Sequence, residues 1–339
     1  MPETRGARQR GRTGFCSPSP SQPGILRPVR VRPTNLLCLL TMPAFVPALA
    51  PFLPNWHWLI DLPACFPTQA AMCLLPTALV FALARRKRLA WTYLAGGLLA
   101  LLAILPGWWA ARAATRTDGE HLAVLSLNLL RGNEKDAPAA LLAVTTHNPD
   151  VVFCSEVTPA WLTALEPGLA AFPHRILHAD PGYFGLALFS KLPLTDGAVI
   201  PLGCDWAPAI RAVLTTKVGP VGLLGVHTPR PGMGTRNAER DGALQAIPAV
   251  LKGLPERHFV LGDCNATPWN RAFRELLATT GLIDAGGDWF RPTWPVQMPW
   301  LVRVPIDHVL VSSGIGVANV STEPVFGSDH APLFAALRL

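Results

Sequence analysis

The chain reads as an α/β domain preceded by apolar transmembrane helices. Two observations predict this. Long uncharged apolar runs fill the N-terminal third. From about Glu120, short apolar runs alternate with helical stretches and turn signals. The 339 residues suit one or two domains. Half of them are hydrophobic and only 15% are charged. Mean hydropathy is positive, a balance typical of chains with membrane segments.

The sequence pI near 9.3 suggests nucleic-acid binding, but the distribution of charge argues against it. Residues 1–110 hold 11 Lys+Arg and 2 Asp+Glu, whereas residues 111–339 hold 18 and 20. The basic excess therefore belongs to the N-terminal third, where it fits a topology signal. None of the seven cysteines forms a CxxC pair, which disfavours a zinc ribbon, a thioredoxin-type motif and a disulfide framework. Cys154 and Cys264 lie in apolar runs and read as buried free thiols.

Residues 1–34 are rich in Arg, Pro, Gly and Ser without apolar period, and read as a disordered basic N-terminus; Met42 is an alternative start. Residues 35–111 read as about three transmembrane helices. Asn35 to Ile60 carries no charge, although Pro43, Pro47, Pro51 and Pro54 interrupt it. Leu62 to Ala84 is again uncharged and long enough to span, and a basic loop follows at Arg85, Arg86, Lys87 and Arg88. Leu89 to Ala111 is the strongest span, with Trp108 and Trp109 as interfacial anchors. Keeping both basic segments cytoplasmic requires three spans. The C-terminal domain at 115–339 then lies outside the cytoplasm, in the periplasm of a bacterium with an inner membrane. The bland alternative is a buried helical hairpin.

In the C-terminal domain, strand-like runs end in polar residues: Ala123 to Asn128, Val151 to Glu156, Val221 to His227, and His258 to Asp263 with Asn265 close behind. Ile306-Asp307-His308 opens another run, and Ser328-Asp329-His330 precedes the last. One polar strand end is an ordinary turn or cap. Six of them carrying Asn, Glu, Asp and His suggest convergence on one sheet edge, where α/β folds place their sites. Carboxylates, carboxamides and imidazoles without cysteine suit a hard cation, Mg2+ or Mn2+.

These motifs carry a resemblance. Ser126-Leu-Asn128, Gly262-Asp263-Cys-Asn265, Ile306-Asp307 and Ser328-Asp329-His330, in this order, resemble the endonuclease/exonuclease/phosphatase superfamily over roughly Leu122 to Leu339. Thr267-Pro-Trp269, Pro292-Thr-Trp-Pro295 and the hydrophobic N-terminus are similar to its membrane-anchored bacterial branch. The resemblance implies a four-layer α/β sandwich, two stacked mixed β-sheets flanked by helices, with the site at one end. It implies metal-assisted hydrolysis of a phosphoester by in-line water attack. One departure stands out: the family's Gln-Glu at the end of its second strand is Ser155-Glu156 in this chain, which changes the hydrogen-bonding group next to the metal-binding Glu that the resemblance implies.

The resemblance assigns roles. Glu156 is the principal metal ligand, helped by Asn128 and Asp329. Asp263 orients or deprotonates water, and Asn265 donates to a phosphate oxygen. Asp307 orients His330, which acts as base or stabilises developing charge. His227 is a general acid to the leaving group, and Arg211 a phosphate contact or a salt-bridge residue. His308 points away by strand alternation and is structural. The expected partners are the bilayer and a phosphoester: a lipid head group, a small molecule or nucleic acid. No obligate protein partner is indicated. Two other readings remain. An extracytoplasmic nuclease would use Arg230, Arg236 and Arg240, placed in a Pro/Gly-rich loop after His227. A non-catalytic binding module would use the same fold without turnover.

Overall fold

The computed structural model describes residues 32–54, 57–286, 291–322 and 326–339. The N-terminus expected to be disordered lies outside them as far as residue 31. Pro33 and Thr34 already belong to a helix.

The N-terminal third is helical, and its prolines set the breaks. α1 (Pro33–Thr41) and α2 (Phe45–Leu49) form one apolar stretch to Phe52, interrupted at Pro43 and Pro51, which open short tighter turns. α3 (Trp58–Asp61) leads to α4 (Pro67–Leu83) through a 63° bend. A helix tends to end before a proline, and Pro63 and Pro67 fall at this bend. α5 (Lys87–Ala113) is unbroken. Two helical stretches are long and apolar enough to cross a membrane, or three if the bent pair is one span. α4 and α5 pack closely because Gly96 and Gly97 leave no side chain between α5 and Leu74 and Leu75. Thr41 and Cys38 hydrogen-bond the Tyr93 hydroxyl.

Two six-stranded sheets follow. The first, in order β11-β12-β1-β2-β4-β3, holds β1 (His121–Asn128), β2 (Val151–Ser155), β3 (His174–His178), β4 (Leu186–Ser190), β11 (Gly316–Thr322) and β12 (Leu333–Arg338). The second, in order β5-β6-β7-β8-β10-β9, holds β5 (Leu194–Pro201), β6 (Pro208–Thr216), β7 (Gly219–His227), β8 (His258–Asp263), β9 (Ile283–Asp284) and β10 (Asp307–Val311). Each sheet has one central parallel pair, β1/β2 and β7/β8. Each pair is connected through a helix, α6 (Ala137–His147) in the first and α8 (Arg236–Leu251) in the second. α7 (Pro159–Leu165) joins α6 on one outer face, and α9 (Arg271–Thr280) joins α8 on the other.

Strand alternation sorts the side chains into layers. Val124, Phe153, Leu188, Leu223, Leu261 and Val309 fill the space between the sheets. Their neighbours Leu125, Val152 and Cys154 face α6 and α7, while Leu224, Val260 and Leu310 face α8 and α9. The result is the four-layer sandwich expected from the motifs. Cys154 and Cys264 are buried free thiols, as anticipated.

Gly262 shows how tightly the sheets approach near the polar strand ends. It holds φ +130°, and a Cβ there would overlap the Val226 carbonyl oxygen and lie 2.8 Å from Phe153. Gly219, with φ +113°, has nothing within 4 Å of the same position. An alanine at Gly219 therefore adds backbone strain alone, about 1–3 kcal/mol. An alanine at Gly262 adds the clash as well. Gly262→Ala should lower the melting temperature of the full chain in detergent by several degrees more than Gly219→Ala. Equal losses would mean that the sheets separate there without resistance.

Candidate active site

Strand register assembles the site. His227, at the end of β7, pairs with Asp263, at the end of parallel β8. Asp263 in turn pairs with Asp307, at the start of antiparallel β10. Three of the predicted site residues therefore sit side by side on one edge, and all three are buried. The first sheet contributes the matching edge. Asn128 ends β1 opposite Ser155 of β2, and Glu156 follows with φ +59°. That left-handed turn sets the carboxylate beside Asn128. The Asn128 amide then bridges the sheets: its Nδ2 donates to Asp263 Oδ2 at 3.1 Å and lies 3.4 Å from Glu156 Oε1.

His330 closes the group. Its Nδ1 is 2.8 Å from Asp307 Oδ2, and its Nε2 is 3.7 Å from Asp263 Oδ2. His227 Nε2 lies 3.7 Å from that same oxygen. Ser328 ties the pieces together, donating to the Asn128 carbonyl oxygen at 2.7 Å and accepting from the His330 backbone N–H. Thr293 accepts from the Asp307 backbone N–H. Asn265, with φ +44°, donates its backbone N–H to Asp263 Oδ1, and its side-chain amide donates to the Thr228 carbonyl oxygen. One N–H of that amide is left to donate elsewhere.

Burial and charge act against each other among these groups. Burial disfavours a charged His330, but Asp307 and Asp263 outweigh it and raise the imidazole to about 10. Burial pushes the Asp307 carboxyl up, yet His330 and the Thr293 hydroxyl hold it below its ordinary range. Burial raises Asp263 and lowers His227. Among the described residues, none of the carboxylates Glu156, Asp263, Asp307 and Asp329 pairs with a lysine or arginine side chain. Their negative charge is offset by imidazoles alone.

The donor set fits a divalent cation. Asp263, Asp307 and His330 offer ligand atoms within 4.8 Å of one another, but the Asp307–His330 bond already engages two of these groups. Glu156 is the better anchor. Its Oε2 accepts from the Arg131 backbone N–H at 2.9 Å, while Oε1 has only the long contact to Asn128. Asp329 accepts from Trp294 Nε1 at 3.0 Å, and its buried Oδ1 has no hydrogen-bond partner. Oxygen-rich, net-negative and partly unsatisfied, this edge matches the preference of Mg2+ or Mn2+.

Two expected contacts lie elsewhere. Arg211 is in the middle of β6, opposite Leu224, with its guanidinium beside Gly253, away from the strand ends. The outward side of that strand faces α8, so strand alternation removes it from the edge. Arg240 does not lie in a loop. It is inside α8, fully buried, and pairs with Asp61 at 2.7 Å and with Asp241. Of the basic trio only Arg230 and Arg236 are exposed. His308 points to the opposite face, bonded to Asp284 and to the Ala266 carbonyl oxygen. Arg131, Thr293 and Trp294 carry no local sequence signal for the site, although the last two stand in the Pro-rich piece Pro292-Thr-Trp-Pro295. The same holds for the aromatic wall at His227, where Phe184 stacks on the imidazole and Trp206 packs against Phe184.

The Asp307–His330 pair has a pH signature in metal-free protein. A raised imidazole contributes stability fully below its ordinary value of 6.5, and that contribution is lost as pH rises through about 10. Asp307→Asn should return the His330 ring titration toward 6.5 and flatten the fall in stability between these values. Ring-proton NMR across pH measures it. An unmoved titration would mean that Asp307 is not the cause.

The sequence of residues 125–330 matches the profile described as the Endonuclease/Exonuclease/phosphatase family. No curated protein matches the chain. Among solved structures, TDP2 of D. rerio complexed with single strand DNA product is 18% identical, covering 65% of this chain and 100% of its own, with a TM-score of 0.54. An endonuclease/exonuclease/phosphatase from Beutenbergia cavernae is 19% identical over 65% of this chain and 72% of its own, at 0.55. Sphingomyelinase C from Streptomyces griseocarneus is 20% identical over 64% and 99%, at 0.51. At these identities the structures speak for the fold. The profile covers more than half of the chain, and the chain belongs to the endonuclease/exonuclease/phosphatase family.

Proposed function

We propose that the chain is a membrane-anchored, Mg2+- or Mn2+-dependent phosphoester hydrolase of this family's membrane-anchored bacterial branch. The observation that carries the reading is the group of carboxylates Glu156, Asp263, Asp307 and Asp329, which among the described residues is offset by the His330 imidazole and by no lysine or arginine side chain. An anionic phosphoester is repelled from such an edge unless a divalent cation is present. When bound, the cation offsets charge on the phosphoryl and leaving oxygens. Glu156, Asn128 and Asp329 would hold it.

The chain's own residues do the rest. Asp263 Oδ2, shared between two imidazoles and the Asn128 amide, orients and accepts a proton from the attacking water. The remaining N–H of the Asn265 amide donates to a non-bridging oxygen. His330, oriented by Asp307, presents a protonated Nε2 to the developing charge. No carboxylate orients His227 Nδ1, and burial favours its neutral form. His227 therefore suits positioning or proton acceptance better than acid catalysis. His330 is the better donor to the leaving group.

The apolar helices support the anchor. Arg32 precedes α1, and the chain runs along α5 in the same direction, with Thr41 beside Tyr93 and Phe45 further on against Gly96. This sets Arg32 at the same end of the helices as Arg85 to Arg88, while the sheets lie at the other end. Two basic segments on one side keep that side cytoplasmic, so the sandwich faces the periplasm. The substrate is a lipid head group or small phosphoester. A second reading, a nuclease, is favoured by the aromatic wall. Tyr183 carries the Arg131 guanidinium on its ring and, like Trp206, is half exposed, and bases stack on such surfaces.

Full-length protein in detergent should hydrolyse bis(p-nitrophenyl) phosphate with Mg2+ and stop with chelator. Glu156→Ala and His330→Ala should each lower kcat by about 100-fold or more. p-Nitrophenyl phosphate and plasmid DNA in parallel would separate monoesterase and nuclease. No turnover on any of them, together with no Mg2+-induced rise in melting temperature, would leave the non-catalytic binding module.

A further inference from the structure

The loop between the site and the apolar helices carries an unexplained surface. From Pro292 to Val302 no residue is charged. Trp294 and Val304 bridge to each other and close this stretch as a hairpin. Its tip is open: Met298 is 48% exposed, Trp300 40%, Leu301 53% and Val302 42%. A water-facing loop has no reason to present four large apolar residues together. Arg303, on the second arm, folds its side chain back along the hairpin. Its guanidinium donates to the Val296 and Met298 carbonyl oxygens, which satisfies its charged head on the hairpin's own backbone.

The position of the tip explains its composition. Gln69 of α4 donates to the Arg303 carbonyl oxygen at 3.1 Å. Trp300 and Leu301 border Gln69 and the half-exposed Met72 around one small cavity. Gly96 and Gly97 against Leu74 and Leu75 set the register of the α4/α5 pair. Continuing that register places Gln69 level with about residue 102 of α5. Trp108 is then about 9 Å further along the axis, at about 1.5 Å per residue. The tip is therefore level with the apolar part of a candidate span, on the far side of the tryptophans that mark its end.

Resting on the membrane-anchored reading above, we propose that Met298–Val302 is a bilayer-docking loop whose partner is lipid acyl chain. The hairpin continues directly into the site through Thr293 on the Asp307 backbone and Trp294 on Asp329. Docking at this depth sets the catalytic edge at the lipid head-group level. The substrate class that follows is the phosphoester of a bilayer lipid.

The test uses the full chain in phosphatidylethanolamine/phosphatidylglycerol vesicles. The photo-crosslinking residue p-benzoylphenylalanine replaces Leu301 in one variant. It replaces Leu98 in the middle of α5, 53% exposed, in a second. It replaces Leu177 in a third, on β3, the sheet edge opposite β11, where it is 46% exposed. The expected result is lipid adduct at 98 and at 301, with at least tenfold less at 177. Adduct at 98 with none at 301, or with a second protein copy captured at 301, overturns the docking loop and leaves the anchor standing. No lipid adduct at 98 overturns the anchor and the docking loop together.

Discussion

Everything at the candidate site depends on the register of β8 between its two neighbours. Parallel pairing with β7 sets His227 beside Asp263, and antiparallel pairing with β10 sets Asp307 on its other side. A slip of one residue would turn each of these side chains to the opposite face. His308 shows that outcome: one residue from Asp307, it is bonded among α9-side groups instead of at the site. The register is held because Leu261 and Val309 must fill the space between the sheets while Val260 and Leu310 meet α8 and α9. Core packing and the geometry of the candidate site are thus one constraint.

That constraint forces carboxylates together in a buried place, which is costly for isolated charges. The chain relieves the cost in three ways. His330 is held cationic between Asp307 and Asp263. The Asn128 amide spans the gap between sheets. Backbone N–H groups of Arg131 and Asn265 cap Glu156 and Asp263. What remains is net negative charge, the electrostatic complement of a divalent cation.

The helices at the N-terminus are joined to this edge, not simply tethered to it. Asp61 pairs with the buried Arg240 and accepts from the Asn270 amide. Arg274 donates to the Pro51 carbonyl oxygen. Trp269 packs into the apolar cluster of the helices. Asn270 also accepts from Thr267, in the turn that follows Asp263 and Asn265. Removing one member of a buried ion pair is strongly destabilising, about 3–5 kcal/mol. A fragment starting after α5 would leave Arg240 without Asp61, so full-length protein is the proper subject for measurement.

Much of this was legible in the sequence, for identifiable reasons. Uncharged runs with flanking arginines mark helices long enough to span, because charge is too costly in hydrocarbon. Short apolar runs ending in Asn128, Glu156, His227 and Asp263 mark strands, because a buried strand turns polar where it exits. The tertiary structure alone decided which cations mattered. Arg211 and Arg240 look alike in sequence to phosphate-binding arginines. Arg211 faces α8 by strand alternation, and Arg240 is taken by Asp61, 179 residues away along the chain. Partners so distant leave no local pattern. The same holds for Ser328 on the Asn128 backbone and for the apolar tip beside α4. Local composition and period are set by what each residue costs in water, whereas the pairing of remote side chains is set only when the packed layers bring them together.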